Sequence, residues 1–128
     1  MTGVVLDSSA VLAMLRDEPG GDTVAEHLEN AVISGVNLHE VAKEMFREGA
    51  VASDVRATLD TLALDVRAHD TEAAYRAAEL YEPTRRYGSG LGDRSCMALA
   101  LELALPILTT DRAWKKVEIA GLEVRHLR

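Results

Sequence analysis

The residues best placed to do chemistry are four carboxylic acids, Asp7, Glu40, Asp93 and Asp111. Asp7 follows the apolar run Val4-Val5-Leu6, and Asp111 follows Ile107-Leu108 after two threonines. Glu40 lies in the first helical turn after a second apolar run, Ala31 to Ser34, and Asp93 opens a long apolar helix. Taken singly, each acid is an ordinary helix-start residue, because Asp caps free N–H groups and acids favour the positive end of the helix dipole. Asn37 and Glu40 also have the spacing of a capping box. Taken together, the four imply more. If the strands before them run parallel, their carboxyl ends share one edge of the sheet, where open α/β folds bind ligands. Carboxylates gathered there repel by roughly 4 kcal/mol per close pair at an effective dielectric of about 20, so the cluster needs cations. With oxygen donors only, magnesium or manganese suits the set better than zinc or copper. An ion held this way can grip a phosphodiester, activate a water for in-line attack and stabilise the departing oxygen.

Placing four acids on one edge requires alternating strands and helices, and the hydrophobic pattern supplies them. Residues 3–6 predict a buried strand, and Ser8–Leu15 an apolar helix after a Ser-Ser pair suited to capping. Turn residues fill 17–22, and Asp22 is expected to cap a helix that buries Val24, Ala25 and Leu28 and ends near Asn30. Ala31–Ser34 predicts a second strand. Asn37 then precedes a helix with Leu38, Val41, Ala42 and Met45 inward, stopped by Gly49. Ser53 starts another helix with Val55, Leu59 and Leu62 inward, after which Leu64, Val66 and Ala68 alternate with Asp65, Arg67 and His69 as a third strand. Asp70 or Thr71 opens an alanine-rich helix that Pro83 ends or bends, and 87–92 reads as a loop. Asp93 begins a helix over 93–105, closed by Pro106 before the Ile107-Leu108 strand. A last helix over 112–120 and an edge strand over 122–127 complete the chain. The alternation predicts an α/β fold, a central and mostly parallel sheet of about five strands flanked by helices on both faces.

Composition narrows the classes further. The 128 residues are 48% hydrophobic and 27% charged without repeat or linker, which predicts one domain over 1–128 and excludes a disordered chain. Apolar runs are interrupted by Asp7, Arg16 or Glu102 well short of a membrane span, and no secretory leader is visible, so no membrane partner and a cytoplasmic location are expected. The single cysteine, Cys96, allows no internal disulfide and reads as a core thiol. Net charge is -7, yet residues 1–64 hold 4 basic and 11 acidic residues whereas 65–128 hold 10 of each. The locally basic stretch from Arg85 onward keeps a phosphate-bearing substrate in view. Arg94 and Arg112 each follow a site acid and are candidate phosphate-backbone contacts, while Lys115 and Lys116 around Trp114 read equally as a solvated helix face. His27, His39, His69 and His126 share no spacing, so a histidine-pair ribonuclease has no support. A phosphatase of the aspartyl-phosphate type would carry a second Asp where this chain has Ser9, and a receiver domain would need an Asp-Lys pair that is absent here.

The segments VVLDSSAVLAMLRDEP, NLHEVAKE and LGDRSCMALALELALPILTTDRAW resemble, in order and over nearly the whole chain, PIN-domain ribonucleases of the VapC toxin type. The late segment, from Gly92-Asp93-Arg94 to Thr109-Thr110-Asp111, is the most specific part. The resemblance implies a PIN-like α/β/α sandwich in which Asp7, Glu40, Asp93 and Asp111 are the catalytic, metal-binding quartet for Mg2+ or Mn2+. It implies Ser9 and Thr109 as supporting hydroxyls. It further implies endonucleolytic RNA cleavage to 5′-phosphate and 3′-hydroxyl ends by the toxin of a toxin-antitoxin pair, inhibiting growth or translation. A cognate VapB-type antitoxin seated in the acidic groove and a homodimer, within a toxin-antitoxin hetero-oligomer, belong to the same expectation. The alternative is a non-cleaving PIN-like module that captures RNA or a partner.

Overall fold

The computed structural model describes residues 2–128, so Met1 of the expected 1–128 unit lies outside the described residues. In chain order the elements are β1 (Val4–Leu6), α1 (Ser8–Leu15), α2 (Gly21–Glu26), β2 (Ala31–Ser34), α3 (Gly35–Arg47), α4 (Ala52–Thr61), β3 (Asp65–Arg67), α5 (Thr71–Glu79), α6 (Tyr81–Thr84), α7 (Leu91–Leu103), β4 (Ile107–Thr109) and β5 (Val124–His126). Short 3-10 turns occupy Leu28–Asn30, Arg85–Tyr87 and Arg112–Lys116. The strands form one sheet in the order β3-β2-β1-β4-β5, parallel at every pairing. This is the expected α/β/α sandwich. From β1 the chain winds outward through β2 to β3, then crosses to β4 on the other side of β1. The order therefore reverses between β1 and β4, the two strands that lead into Asp7 and Asp111.

The central strands are short and apolar apart from Ser34 and Thr109 at their ends, because both of their faces are covered. Val5, Val32 and Ile107 face a layer containing Cys96 and Met97 of α7 and Trp114. Val4, Leu6, Ala31, Ile33 and Leu108 face the other layer, with Val11 of α1, Val24 of α2 and Val41 of α3. Successive residues thus serve opposite cores, and full burial of each such aliphatic side chain contributes about 1.5–3 kcal/mol.

Several boundaries differ from the sequence reading. α3 starts at Gly35, with Ser34 as its cap accepting the Val36 N–H at 3.1 Å, so Asn37 lies inside the first turn and does not cap it. α2 is entered through Gly20 in the left-handed region, φ 95°, and Asp22 sits in its first turn. It ends at Glu26, and a 3-10 turn carries the chain to Asn30. α4 begins at Ala52, one residue ahead of Ser53. α5 ends at Glu79, so Pro83 falls within α6 and does not terminate the alanine-rich helix. α7 starts at Leu91, which puts Asp93 at its third position, and stops at Leu103 because Ala104 turns left-handed, φ 54°. The expected helix over 112–120 is only the 3-10 turn, after which Val117, Ile119, Leu122 and Val124 pack on the core from a non-helical segment. Val66 is 46% exposed, since β3 is an edge strand with one neighbour. No described helix is long and apolar enough to cross a membrane.

Candidate active site

Asp7 leaves the end of β1 as the cap of α1 and is 3% exposed. Its Oδ1 accepts the Ser9 hydroxyl at 2.7 Å and the Ala10 N–H at 2.9 Å, and its Oδ2 accepts the Thr109 hydroxyl at 2.5 Å. Ser9 Oγ in turn accepts the Thr110 N–H, and Thr109 Oγ1 the Asp111 N–H, each at 3.0 Å. The two expected supporting hydroxyls therefore tie the end of β1 to the end of β4. Each hydroxyl owns one hydrogen, and both are committed to Asp7, so the 3.2 Å approach of Ser9 Oγ to Thr109 Oγ1 carries no hydrogen bond while Asp7 is ionised. Burial pushes the Asp7 carboxyl up to about 6, against the lowering effect of its three donors, and the charge of Asp93 adds to the rise.

Asp93 is half-buried at the start of α7, where its Oδ2 accepts the Gly90 N–H at 3.0 Å. Burial raises its pKa, and the charges of Asp111 and Glu40 raise it further. The Gly90 donor and the Trp114 side chain oppose the rise. The Trp114 indole N–H, although buried, completes no hydrogen bond of good geometry. Asp93 is thus the acid electrostatically coupled to all three others.

Glu40 reaches α7 from α3. Asn37, 1% exposed, donates through Nδ2 to Glu40 Oε1 at 2.9 Å and to the Gly92 carbonyl at 3.1 Å, while its Oδ1 is buried without a protein partner. A Cβ on Gly92 would collide with the Glu40 carboxylate. The missing side chain at 92 is what lets the acid lie against the first turn of α7. Asp111 caps the turn after β4 and accepts the Ala113 N–H at 2.9 Å. Asp7, Asp93 and Asp111 thus each accept a backbone N–H at a helix or turn start, as the cap reading expects, and the capping-box reading of Asn37 and Glu40 gives way to a direct side-chain bond.

Among the described residues no three His, Cys, Asp or Glu side chains are spaced to grip an ion between them. The reason is local: Asp7, Asp93 and Asp111 point at nearby backbone N–H groups and Glu40 at Asn37. In chemistry the set fits a hard divalent cation, being all oxygen, anionic and mutually repelling.

Arg94 is committed elsewhere, with Nε donating to Thr84 Oγ1 at 2.9 Å and its guanidinium 5.1 Å from the centre of the Tyr81 ring. Arg112 is exposed beside Asp111, as are Lys115 and Lys116, while Trp114 is buried beneath them. His39 is exposed. Glu44 is ion-paired with Lys43, Arg47 and Arg16, and the hydrogen bond from Arg47 leads in holding its carboxyl down to about 2. Cys96 is wholly buried, and burial raises its thiol well above the ordinary value, with the charges of Asp7, Asp93 and Glu40 adding to the effect. Sequence reasoning missed what Asn37 and Gly92 do for Glu40. The signal for Asn37 was its i, i+3 spacing, which was assigned to capping, and for Gly92 there was none.

Comparison with known proteins places this geometry in a family. No curated protein matches the sequence. Among solved structures, a chain of DNA-bound VapBC from Salmonella typhimurium is 18% identical with TM-score 0.73, covering 100% of each chain. A chain of VapBC-5 from Mycobacterium tuberculosis is 23% identical with TM-score 0.61, covering 98% of this chain and 99% of the other. PAE2754 from Pyrobaculum aerophilum is 20% identical with TM-score 0.61, covering 96% and 90%. At these identities the likeness is one of fold. Residues 4–120 match the PIN domain family over the span that holds all four acids, and the chain belongs to that family.

Proposed function

We propose that this chain, read as a single domain, is a metal-dependent endoribonuclease and the toxin of a VapC-type toxin-antitoxin pair acting in the cytoplasm. The observation that carries the reading is the placement of the four acids: Asp7 is bonded by Thr109 at the end of β4, Glu40 from the second turn of α3 lies against Gly92 beside Asp93 in the first turn of α7, and Asp111 follows β4. Asp7, Glu40, Asp93 and Asp111 would hold Mg2+ or Mn2+, which when bound supplies Lewis-acid stabilisation and an activated water. The protein's own contribution is placement. Ser9 and Thr109 fix Asp7 between β1 and β4, Asn37 and the bare Gly92 backbone fix Glu40 beside α7, and Arg112 stands exposed next to Asp111 for a phosphate. Solved relatives that are toxin-antitoxin complexes support a cognate antitoxin as partner. A homodimer within that assembly is part of the same reading.

The test is cleavage of total cellular RNA by the purified, antitoxin-free chain, with magnesium or manganese and with chelator, beside Asp93→Asn. Discrete metal-dependent cuts with 5′-phosphate ends, lost in the variant, are expected. Cutting that survives chelator and Asp93→Asn would reject this site, and RNA binding without any cutting would favour the non-cleaving module.

A further inference from the structure

Of the 14 Lys and Arg residues, Arg56, Arg86, Arg94, Arg112, Lys115 and Lys116 are the ones that, among the described residues, have no carboxylate within ion-pair distance. Arg56 stands apart on α4, whereas the other five fall within residues 86–116, on the segments that flank Asp93 and Asp111. Arg94 is taken up by Thr84 and Tyr81. The turns Arg85–Tyr87 and Arg112–Lys116 pack against each other. Beside them lies a cleft of about 470 Å³ lined by Glu82, Pro83, Arg86, Tyr87, Lys116 and Glu118. Glu82 is neutralised by Arg85 at 3.1 Å, which leaves Glu118 against two free cations. The second turn starts immediately after Asp111, so at the 3-10 rise Lys116 lies roughly 10 Å along the chain from that acid. A protein of net charge -7 that pairs most of its cations elsewhere has left them unpaired beside its acidic site.

We infer that this cleft holds the backbone of single-stranded RNA as the strand leaves the acidic site, with Arg86 and Lys116 meeting phosphates and the Tyr87 ring offered to an adjacent base. The inference rests on the ribonuclease reading and adds to it a route for the substrate. Unpaired cations interleaved with an aromatic ring are the combination that binds an unpaired strand without reading its sequence. An acidic peptide would use the cations but gain little from the ring, and the cleft's neighbour is a site suited to phosphodiesters.

The experiment measures binding of a fluorescent mixed-sequence single-stranded RNA in magnesium, in the Asp93→Asn background so that the strand survives. Arg86→Ser/Lys116→Ser is compared with Arg56→Ser, all of these positions being exposed. The double variant should bind roughly tenfold more weakly, and two lost phosphate contacts should flatten the salt slope by about 1.4. Arg56→Ser should change neither. Equal losses in both variants, or no loss in either, would overturn the cleft as the RNA route. No RNA binding in the background chain would overturn it as well, and the wild-type cleavage assay would then show whether the ribonuclease reading falls with it.

Discussion

Asp7 carries the largest conflict between stability and chemistry in the chain. Its carboxyl titrates near 6 when folded against 3.8 as its ordinary value, so between these pH values the folded state binds more protons than the unfolded one. Stability must therefore fall as pH rises from about 4 to 6 and stay low above that window, by on the order of 2–3 kcal/mol for this one group. Asp7→Asn removes the conflict. In chelator, urea melts at pH 4.5 and 7.5 should show the wild type losing stability relative to Asp7→Asn across the interval; parallel behaviour would mean that Asp7 is ionised without penalty. Gly92→Ala tests the opposite kind of residue, one whose role is to be absent. The colliding atoms belong to the flexible end of Glu40, so the fold should shift by less than about 1 kcal/mol. Metal affinity, read by titration calorimetry, should fall roughly tenfold or more because the Glu40 carboxylate must move. Asp7, Asp93 and Asp111 were legible in sequence as candidates because each follows a strand or stands in the opening of a helix, whereas Ser9 and Thr109 came only with the family resemblance. The grip of Asn37 on Glu40 and Gly92 was not, since the contact to Gly92 joins residues 55 apart in sequence.

Among the elements, β1, β2 and β4 could be read directly because burial on both faces leaves an apolar run with no competing pattern. β3 was legible from its alternation, which foretells which residues share a face, while its edge position decides whether that face is covered and leaves Val66 exposed. The helix expected over 112–120 did not form. Trp114 anchors the turn, but Val117, Ile119, Leu122 and Val124 reach the core from a non-helical chain, and their spacing is ambiguous over so short a stretch. The end of α7 was placed at Pro106, whereas the chain already turns at Ala104, whose N–H bonds back to the Ala100 and Leu101 carbonyls in a conformation that disfavours a Cβ. Ala104→Gly should accordingly raise stability by about 0.5–1 kcal/mol. A higher urea midpoint with unaltered RNA cleavage is the expected outcome, because Ala104 lies at the opposite end of α7 from Asp93; a lower midpoint would show that glycine's extra unfolded-state freedom prevails.

At the scale of the molecule, the acids join β1, α3, α7 and β4, so an ion held among them would link both layers to the sheet. Binding that favours the folded state raises its stability by mass action, and saturation at about 100 times Kd corresponds to about 2.7 kcal/mol, or roughly 5–10 °C in a chain of this size. Manganese should raise the melting temperature of the wild type by this order and leave Asp93→Asn nearly unmoved; an equal rise in both would place the ion elsewhere. The position of Cys96 offers an independent view of the same coupling. The chain's only thiol is wholly buried in α7 under the influence of Asp7, Asp93 and Glu40. A reagent that modifies thiols can reach it only when α7 lifts from the sheet, so the labelling rate is a clock built into the core that counts openings of the ground beneath the acids.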